Sequence, residues 1–438
     1  MLSNDTLSRI DEIKRRIDFS YVIPSSKSHG SLNCPFCHRK NKAHIYNGQF
    51  FRCYSSKCGV HGDIINIHKL LYYPSEKGGF YKSIEDLEKL ASINRQEFFD
   101  LQSERVQLYE KALDTYKYIL MDTSEGSSAR NYLSSRGFDS TCLRMYDIGY
   151  ASSNNPLQAF GLDPFLLKKH HLITGWSNSS SEYYSNRIIF PIRNLEKHTV
   201  HFIGRYCGSV PKTSEGDDKF LRYKNSKSSE SLPSTSNYLV FEDYIEEYLS
   251  LEEPYVILAE GYPDALSLKQ LGLPVLGLLG LEGLTKHYSK LSKFKYIICV
   301  FDNDFFPQDH PLYPLEFKSW RRIVPQLVDL ALILPHTQFF TFMVPESFNN
   351  INCKDINDWL LSSNLSASFF KSFIESKKQD LISSLIDRWG SDFSRHSTLL
   401  QLIHSTPNPL QSVHLSNLQQ FIPLEFSPLT YALHLFND

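Results

Sequence analysis

The chain has 438 residues, more than a single typical core organises, so two to four domains are expected. Its composition is ordinary for a globular protein, 41% hydrophobic and 21% charged, and it has no run of about eighteen apolar residues that would predict a membrane-spanning helix. A formal net charge of −2 gives no overall pull on polyanions, yet residues 11–83 carry twelve Lys and Arg against five Asp and Glu, and residues 187–227 carry nine against four.

The N-terminus, MLSNDTLSRIDEIKRR, is polar and amphipathic with no apolar h-region, which predicts a cytoplasmic chain rather than a secreted one. Of eight cysteines, four crowd between Cys34 and Cys58, while Cys142, Cys207, Cys299 and Cys353 are scattered. Such clustering without an export signal points to metal rather than disulfides. Cys34-x-x-Cys37 and Cys53-x4-Cys58 provide two thiolate pairs, and the aromatic-rich stretch from His44 to Phe51 supplies ribbon strands between them. Four thiolates close a tetrahedral shell around one structural Zn²⁺, with His38 and His61 as competing ligands.

Residues 83–121 have helical periodicity, with Ile84, Leu87, Leu90 and Ala91 followed by Leu108, Tyr109, Ala112 and Tyr116. A charged linker near residues 95–106 is expected between two helices and would let the zinc module move. In NYLSSRGFDSTCLRMYDIGYA, residues 131–151, Gly137 and Gly149 bracket a short helix, and Arg136 reads as a capping surface arginine. A hairpin follows, from Arg187 to Ile192 and from Thr199 to Arg205; unaided, its arginines are ordinary exposed ones. The Ser-, Gly- and charge-rich stretch after it, which contains Arg222, Tyr223, Asn225 and Ser226, reads as a loop.

Two short apolar runs, Tyr255 to Ala259 and Tyr296 to Phe301, have the length and β-branched content of strands buried on both faces. Each ends on carboxylates, Glu260 after the first and Asp302 and Asp304 after the second. In an open parallel sheet, ligands bind outside the carboxyl ends of the strands, so these acids are expected to share a cleft and to hold Mg²⁺ or Mn²⁺. Between the runs, Gly261 and Pro263 open a helix, and Gly272 with Pro274 ends it before Val275 to Leu279. Leu315 to Ile333 reads as a helix and Gln338 to Val344 as a strand. KDINDWLL, residues 354–361, opens another helix on Asp355, a good N-cap. Residues 365–438 are helical and apolar without a motif.

Several of these stretches resemble DnaG-type DNA primases, in the family's order. FRCYSSKCGVHGDIINIHKLL looks like the primase zinc-binding domain, although that family commonly uses three cysteines and one histidine. Y-L-x-x-R-G-F, R-I-I-F-P-I and R-Y-x-N-S look like the basic part of the catalytic core, with arginine at 222 where the family has lysine. E-G-x-x-D followed by D-x-D resembles the Toprim fold, and K-D-I-N-D its third acidic element, with Asn357 in the second acidic place.

The resemblance implies an α/β and α+β multidomain chain: a zinc-ribbon DNA-binding domain at 1–95, a basic primase-core subdomain at 105–245, a Toprim metal-binding domain at 250–347 and a C-terminal helical region at 350–438. It implies Glu260, Asp302 and Asp304 as catalytic metal ligands, Asp264 as a supporting acid and Asp355 as a further candidate. Arg136, Arg187, Arg193, Arg205, Arg222, Tyr223 and Asn225 would bind nucleotide or template. On the ribbon, Arg39, Lys40, Lys42, Arg52 and Lys57, interleaved with Phe50, Phe51 and Tyr54, would meet single-stranded DNA. The implied activity is synthesis of short RNA primers from ribonucleoside triphosphates on a single-stranded template, with a replicative helicase as partner, in a compact enzyme of the sort phages carry. The alternatives are a Toprim nuclease and a non-catalytic, DNA-binding or helicase-loading relative.

Overall fold

The computed structural model describes residues 4–23, 30–46, 48, 50–55, 58–74, 76–91, 95–175, 180–208, 221–227, 235–279, 284–303, 318–363, 366–405 and 408–421. The chain forms two compact units, residues 1–15 with 86–245 and residues 16–85 with 246–438. After helix α1 (Asn4–Arg16), strands β1 (Gly30–Leu32), β2 (Ala43–Tyr46), β3 (Phe50–Cys53) and β4 (His61–Asp63) make an antiparallel ribbon in sequence order. Asp63 then caps α2 (Ile64–Tyr72) by accepting the N–H of Asn66 at 2.9 Å, and Ile64, Ile65 and Ile67 bury the helix's apolar side.

Helix α3 (Gly79–Leu90) leads to α4 (Arg95–Asp122), a single helix of 28 residues. The linker expected near 95–106 is therefore the beginning of α4. The reason lies in residue type: with no Gly or Pro there, Gln, Glu and Arg extend a helix rather than break it.

The first unit continues through α5 (Ser127–Ser135), α6 (Ser140–Met145), β5 (Gly149–Ala151), α7 (Pro156–Ala159), α8 (Pro164–Lys169), β6 (Ile173–Thr174), β7 (Ser181–Glu182), β8 (Arg187–Arg193), β9 (Thr199–Tyr206) and β10 (Tyr223–Asn225). Its main sheet is antiparallel in the order β10-β9-β8-β5. Leu108, Tyr109, Ala112 and Tyr116 of α4 pack into one core with Ile189 and Phe202 of the sheet, and the rings of Tyr109 and Phe202 stack at 4.7 Å. Helix and sheet approach so closely that a Cβ on Gly149 would lie 2.6 Å from that of Tyr116, which is why this strand carries glycine.

Past α9 (Ile245–Leu249), the second unit resumes with β11 (Tyr255–Ala259), α10 (Tyr262–Lys269), β12 (Val275–Gly277), α11 (Tyr288–Leu291), β13 (Tyr296–Phe301), α12 (Lys318–Ile333) and β14 (Gln338–Met343). The sheet runs β12-β11-β13-β14-β17, its first four strands parallel and β17 (Gln379–Asp380) antiparallel at the edge. A small hairpin, β15 (Ser347–Phe348) and β16 (Ile351–Asn352), precedes α13 (Ile356–Ser363) and α14 (Ala367–Lys377). Helices α15 (Leu381–Trp389), α16 (His396–Ser405) and α17 (Asn408–Gln419) complete the described chain, and α15 and α16 bury their apolar faces.

From β11 the chain goes to one neighbour, β12, and then returns to the opposite side as β13. The strand order thus reverses between β11 and β13, the position at which open α/β sheets form their binding crevice. The ribbon belongs to this same unit. Tyr288 of α11 meets Phe50 of β3 edge-on at 5.1 Å, and its hydroxyl hydrogen-bonds the Asp63 carboxylate.

Candidate metal centres and nucleic-acid interface

Cys34 and Cys37 sit on the turn between β1 and β2, and Cys53 and Cys58 flank the turn between β3 and β4. Their four sulfurs lie within 4.8 Å of one another. The Cys34–Cys58 and Cys37–Cys53 separations are both 3.8 Å, far beyond a disulfide bond. A tetrahedron with metal–sulfur bonds of roughly 2.3 Å has edges of about 3.8 Å, so the set fits a zinc ribbon without adjustment. Backbone N–H groups support the thiolates: Ser55 donates to Cys53 Sγ at 3.4 Å, and the N–H of Arg39 leads the effects that pull the Cys37 thiol down to about 7. Burial pushes Cys53 up to about 12, a cost that a bound cation removes. Neither His38 nor His61 is in the group; His61 Nδ1 lies 2.9 Å from the carbonyl of Gly59.

At the switch point, Glu260 follows β11 and Asp302 follows β13. Glu260 Oε1 accepts the backbone N–H of Asp302 at 3.0 Å. Asp304, expected as the third ligand, lies outside the described residues, as does Lys57 of the ribbon. The N–H of Asn303 donates to the carbonyl of Lys354 at 2.7 Å, which draws the start of the third acidic element to the end of β13. Asp355 caps α13 by accepting from the N–H of Asp358 at 2.8 Å. Asn357 is buried and donates to Ser267 of α10 at 2.9 Å, so its amide clamps two helices together. Asp264 stands in the first turn of α10, where the helix dipole favours a carboxylate. Asn303 Oδ1 is buried with no hydrogen-bond partner among the described residues. Carboxylate and amide oxygens of this kind fit a hard divalent cation.

In the first unit the hairpin arginines take different environments. Arg187 is buried and donates to the carbonyls of Ser185 and Leu221 at 3.0 and 2.9 Å, with its guanidinium over the Tyr206 ring. Arg193 pairs with Asp147 at 2.6 Å, and Lys117 reaches the same carboxylate at 2.7 Å. Arg205 lies between aromatic rings, 4.4 Å from the centroid of Tyr132 and 5.6 Å from that of Tyr223, and its Nε is buried without a hydrogen-bond partner among the described residues. Arg222, Tyr223 and Asn225 are exposed at and beside the edge strand β10, and Arg136 ends α5 as its C-cap. Tyr132, which opens the Y-L-x-x-R-G-F stretch, and Lys224 belong to this cluster although the sequence assigns a role to neither. Lys224 lies 4.8 Å from the Tyr183 ring centroid, and only the folded sheet brings such pairs together.

Residues 116–234 match the family described as the DNA primase catalytic core, N-terminal domain. A DNA primase of Lactococcus lactis is 26% identical over 325 residues, 69% of this chain and 48% of its own length. The chain spans about half the length of the curated relatives it matches. Among solved structures, the zinc-binding and RNA polymerase domains of the Aquifex aeolicus primase share its fold with a TM-score of 0.57 at 20% identity, covering 97% of this chain and 98% of that one. A DnaG primase catalytic domain bound to single-stranded DNA shares the fold with a TM-score of 0.56 at 22% identity, over 74% of this chain and 96% of that one. Ribbon, basic sheet and acid-tipped parallel sheet thus occur together in a relative of the DnaG-type DNA primases, with the catalytic core's N-terminal domain at residues 116–234.

Proposed function

We propose that this chain is a DNA primase that makes short RNA primers on single-stranded DNA. The observation that carries the proposal is the junction of Glu260 and Asp302 at the sheet's switch point, in a chain that also holds the primase-core match. We assign the ribbon to residues 1–95, the basic core to 105–245, a Toprim domain to 250–347 and a helical region to 350–438.

Cys34, Cys37, Cys53 and Cys58 hold one structural Zn²⁺. Glu260 and Asp302, with Asp304, hold catalytic Mg²⁺ or Mn²⁺, and Asp264 and Asp355 support them. When bound, that cation neutralises phosphate charge and lowers the pKa of the attacking hydroxyl. The protein does the rest by positioning: the hydrogen bond from Asp302 N–H fixes the Glu260 carboxylate. Exposed Arg222 and the stacked Arg205 neutralise phosphates, while Tyr223 offers a ring face to a base. Arg136, Arg193 and Asn225 complete that surface, and Arg187 holds the Leu221 end of the loop in place. Ribonucleoside triphosphates are the substrates and a replicative helicase is the partner.

The test is incubation of the full chain with single-stranded DNA, Mg²⁺ or Mn²⁺ and labelled ribonucleotides. Template-dependent oligonucleotides are expected, and Glu260→Gln or Asp302→Asn abolishes them. Cutting of the DNA without extension would make the chain a Toprim nuclease instead.

A further inference from the structure

A cleft of about 780 Å³ opens within the second unit between the ribbon and helices α12 and α16. That volume is in the range of small-molecule sites. Strand alternation decides what the ribbon shows to it. Ala43, Ile45 and Phe51 bury one face, while on the opposite face partly exposed His44 and Arg52 line the cleft beside Tyr46, which is 5% exposed, and the Tyr54 N–H to Lys42 carbonyl bond of 2.7 Å continues the pairing by one step.

This wall has a chemical character. Among the described residues, neither Lys42 nor Arg52 has an acid within ion-pair distance, and the Arg52 guanidinium lies 5.3 Å from the Tyr54 ring centroid. Tyr46 and Tyr54 touch through their hydroxyls, which holds both rings in the cleft. Ser55 also lines it; the residue is 4% exposed and its Oγ has no hydrogen-bond partner among the described residues, so a buried polar group there remains to be satisfied. The opposite wall is different: α12 contributes Asp329, and α16 contributes Thr398 and Gln401. Among the described residues Asp329 is the only carboxylate in the lining, and burial pushes it up to about 6.

We propose that this cleft binds a nucleoside phosphate, with Lys42 and Arg52 on its phosphates, the tyrosine pair against its base, and Asp329 accepting from the base's N–H groups. Two cations on one wall and the carboxylate of Asp329 on the other orient such a ligand in one direction. A ligand seated here touches the ribbon and both helices at once, so it braces the ribbon against the sheet. The site is separate from the acid pair at the ends of β11 and β13 and does not depend on it.

The experiment uses the full zinc-loaded chain carrying Asp302→Asn, titrated calorimetrically with ATP in buffer without Mg²⁺ or Mn²⁺, so that binding at the acid site is not read. One ATP is expected to bind. Adding Arg52→Ala and Lys42→Ala should weaken it at least tenfold, and Gln401→Trp, which fills the cleft from α16, should remove it while zinc content and melting temperature stay unchanged. No binding at millimolar ATP overturns the proposal, as does affinity unchanged by both sets of variants. Inorganic triphosphate binding as tightly as ATP overturns the role of the rings. A short single-stranded oligonucleotide that binds where ATP does not would make the cleft a strand-binding surface and overturn the nucleotide assignment.

Discussion

Glu260 Oε1 accepts the backbone N–H of Asp302 at 3.0 Å, across forty-two residues of chain. The bond joins the ends of two adjacent parallel strands and fixes an acid at each. Gln at 260 keeps an oxygen acceptor for that N–H, so Glu260→Gln should melt within a few degrees of the wild type. Primer synthesis should fall by at least about a hundredfold, because metal-based stabilisation is worth several kcal/mol. Activity near wild type in a well-folded Glu260→Gln protein would remove this residue from the metal site.

The ribbon's four thiolates predict one tightly held zinc per chain. Cys37→Ser should abolish it, and a strong chelator should unfold the ribbon, since zinc ribbons take much of their folding free energy from the metal. Because Phe50 and Asp63 rest on Tyr288, the damage should spread from the ribbon to the parallel-sheet part of the same unit and lower that unit's melting temperature. Metal analysis with thermal denaturation measures both; a chain that melts identically with and without zinc contradicts this.

How far these features were legible depends on the distance over which each is specified. Paired cysteines at knuckle spacing and strands ending in acids are local patterns, and both Cys34–Cys58 and Glu260–Asp302 come together as their motifs suggest. The hairpin too is local, and β8 and β9 extend its expected strands by one residue each. Charge density misled at 95–106, because the same residues that make a linker polar also favour helix. What each arginine does was not readable. Arg187 and Arg205 look alike in sequence, yet one is tied to backbone carbonyls and the other is sandwiched by Tyr132 and Tyr223, partners set by tertiary packing alone.

The difference between the exposed aromatic face beside Arg205 and the structural role of Arg187 can be measured. Tyr223→Ala should weaken single-stranded DNA binding by about 1–3 kcal/mol, the loss of one stacked base, with little change in melting temperature. Arg187→Ala should act in the opposite pattern. It strips hydrogen bonds from two carbonyls and removes packing on Tyr206, so a stability loss of roughly 2–3 kcal/mol is expected. DNA titrations and urea melts on both variants separate the roles; equal stability losses would merge them.

Glu182 supplies a pH test of the first unit. Its side chain is buried, and Oε1 accepts from the N–H of Leu157 at 2.5 Å while Oε2 accepts from the Tyr116 hydroxyl at 3.0 Å. Burial outweighs both bonds and raises its carboxyl from the usual 4.5 to about 7. Since the folded value is raised, the fold favours the protonated acid. The contribution is fully present below pH 4.5 and is lost as pH rises through 7, on the order of 3 kcal/mol in all. Glu182→Gln keeps the shape and removes the titration. Its stability relative to the wild type should therefore rise between pH 5 and pH 8 in urea melts, a difference in which every other titrating group, common to both proteins, cancels. A constant difference across that range would mean that Glu182 ionises at an ordinary carboxylate pKa and that water reaches it.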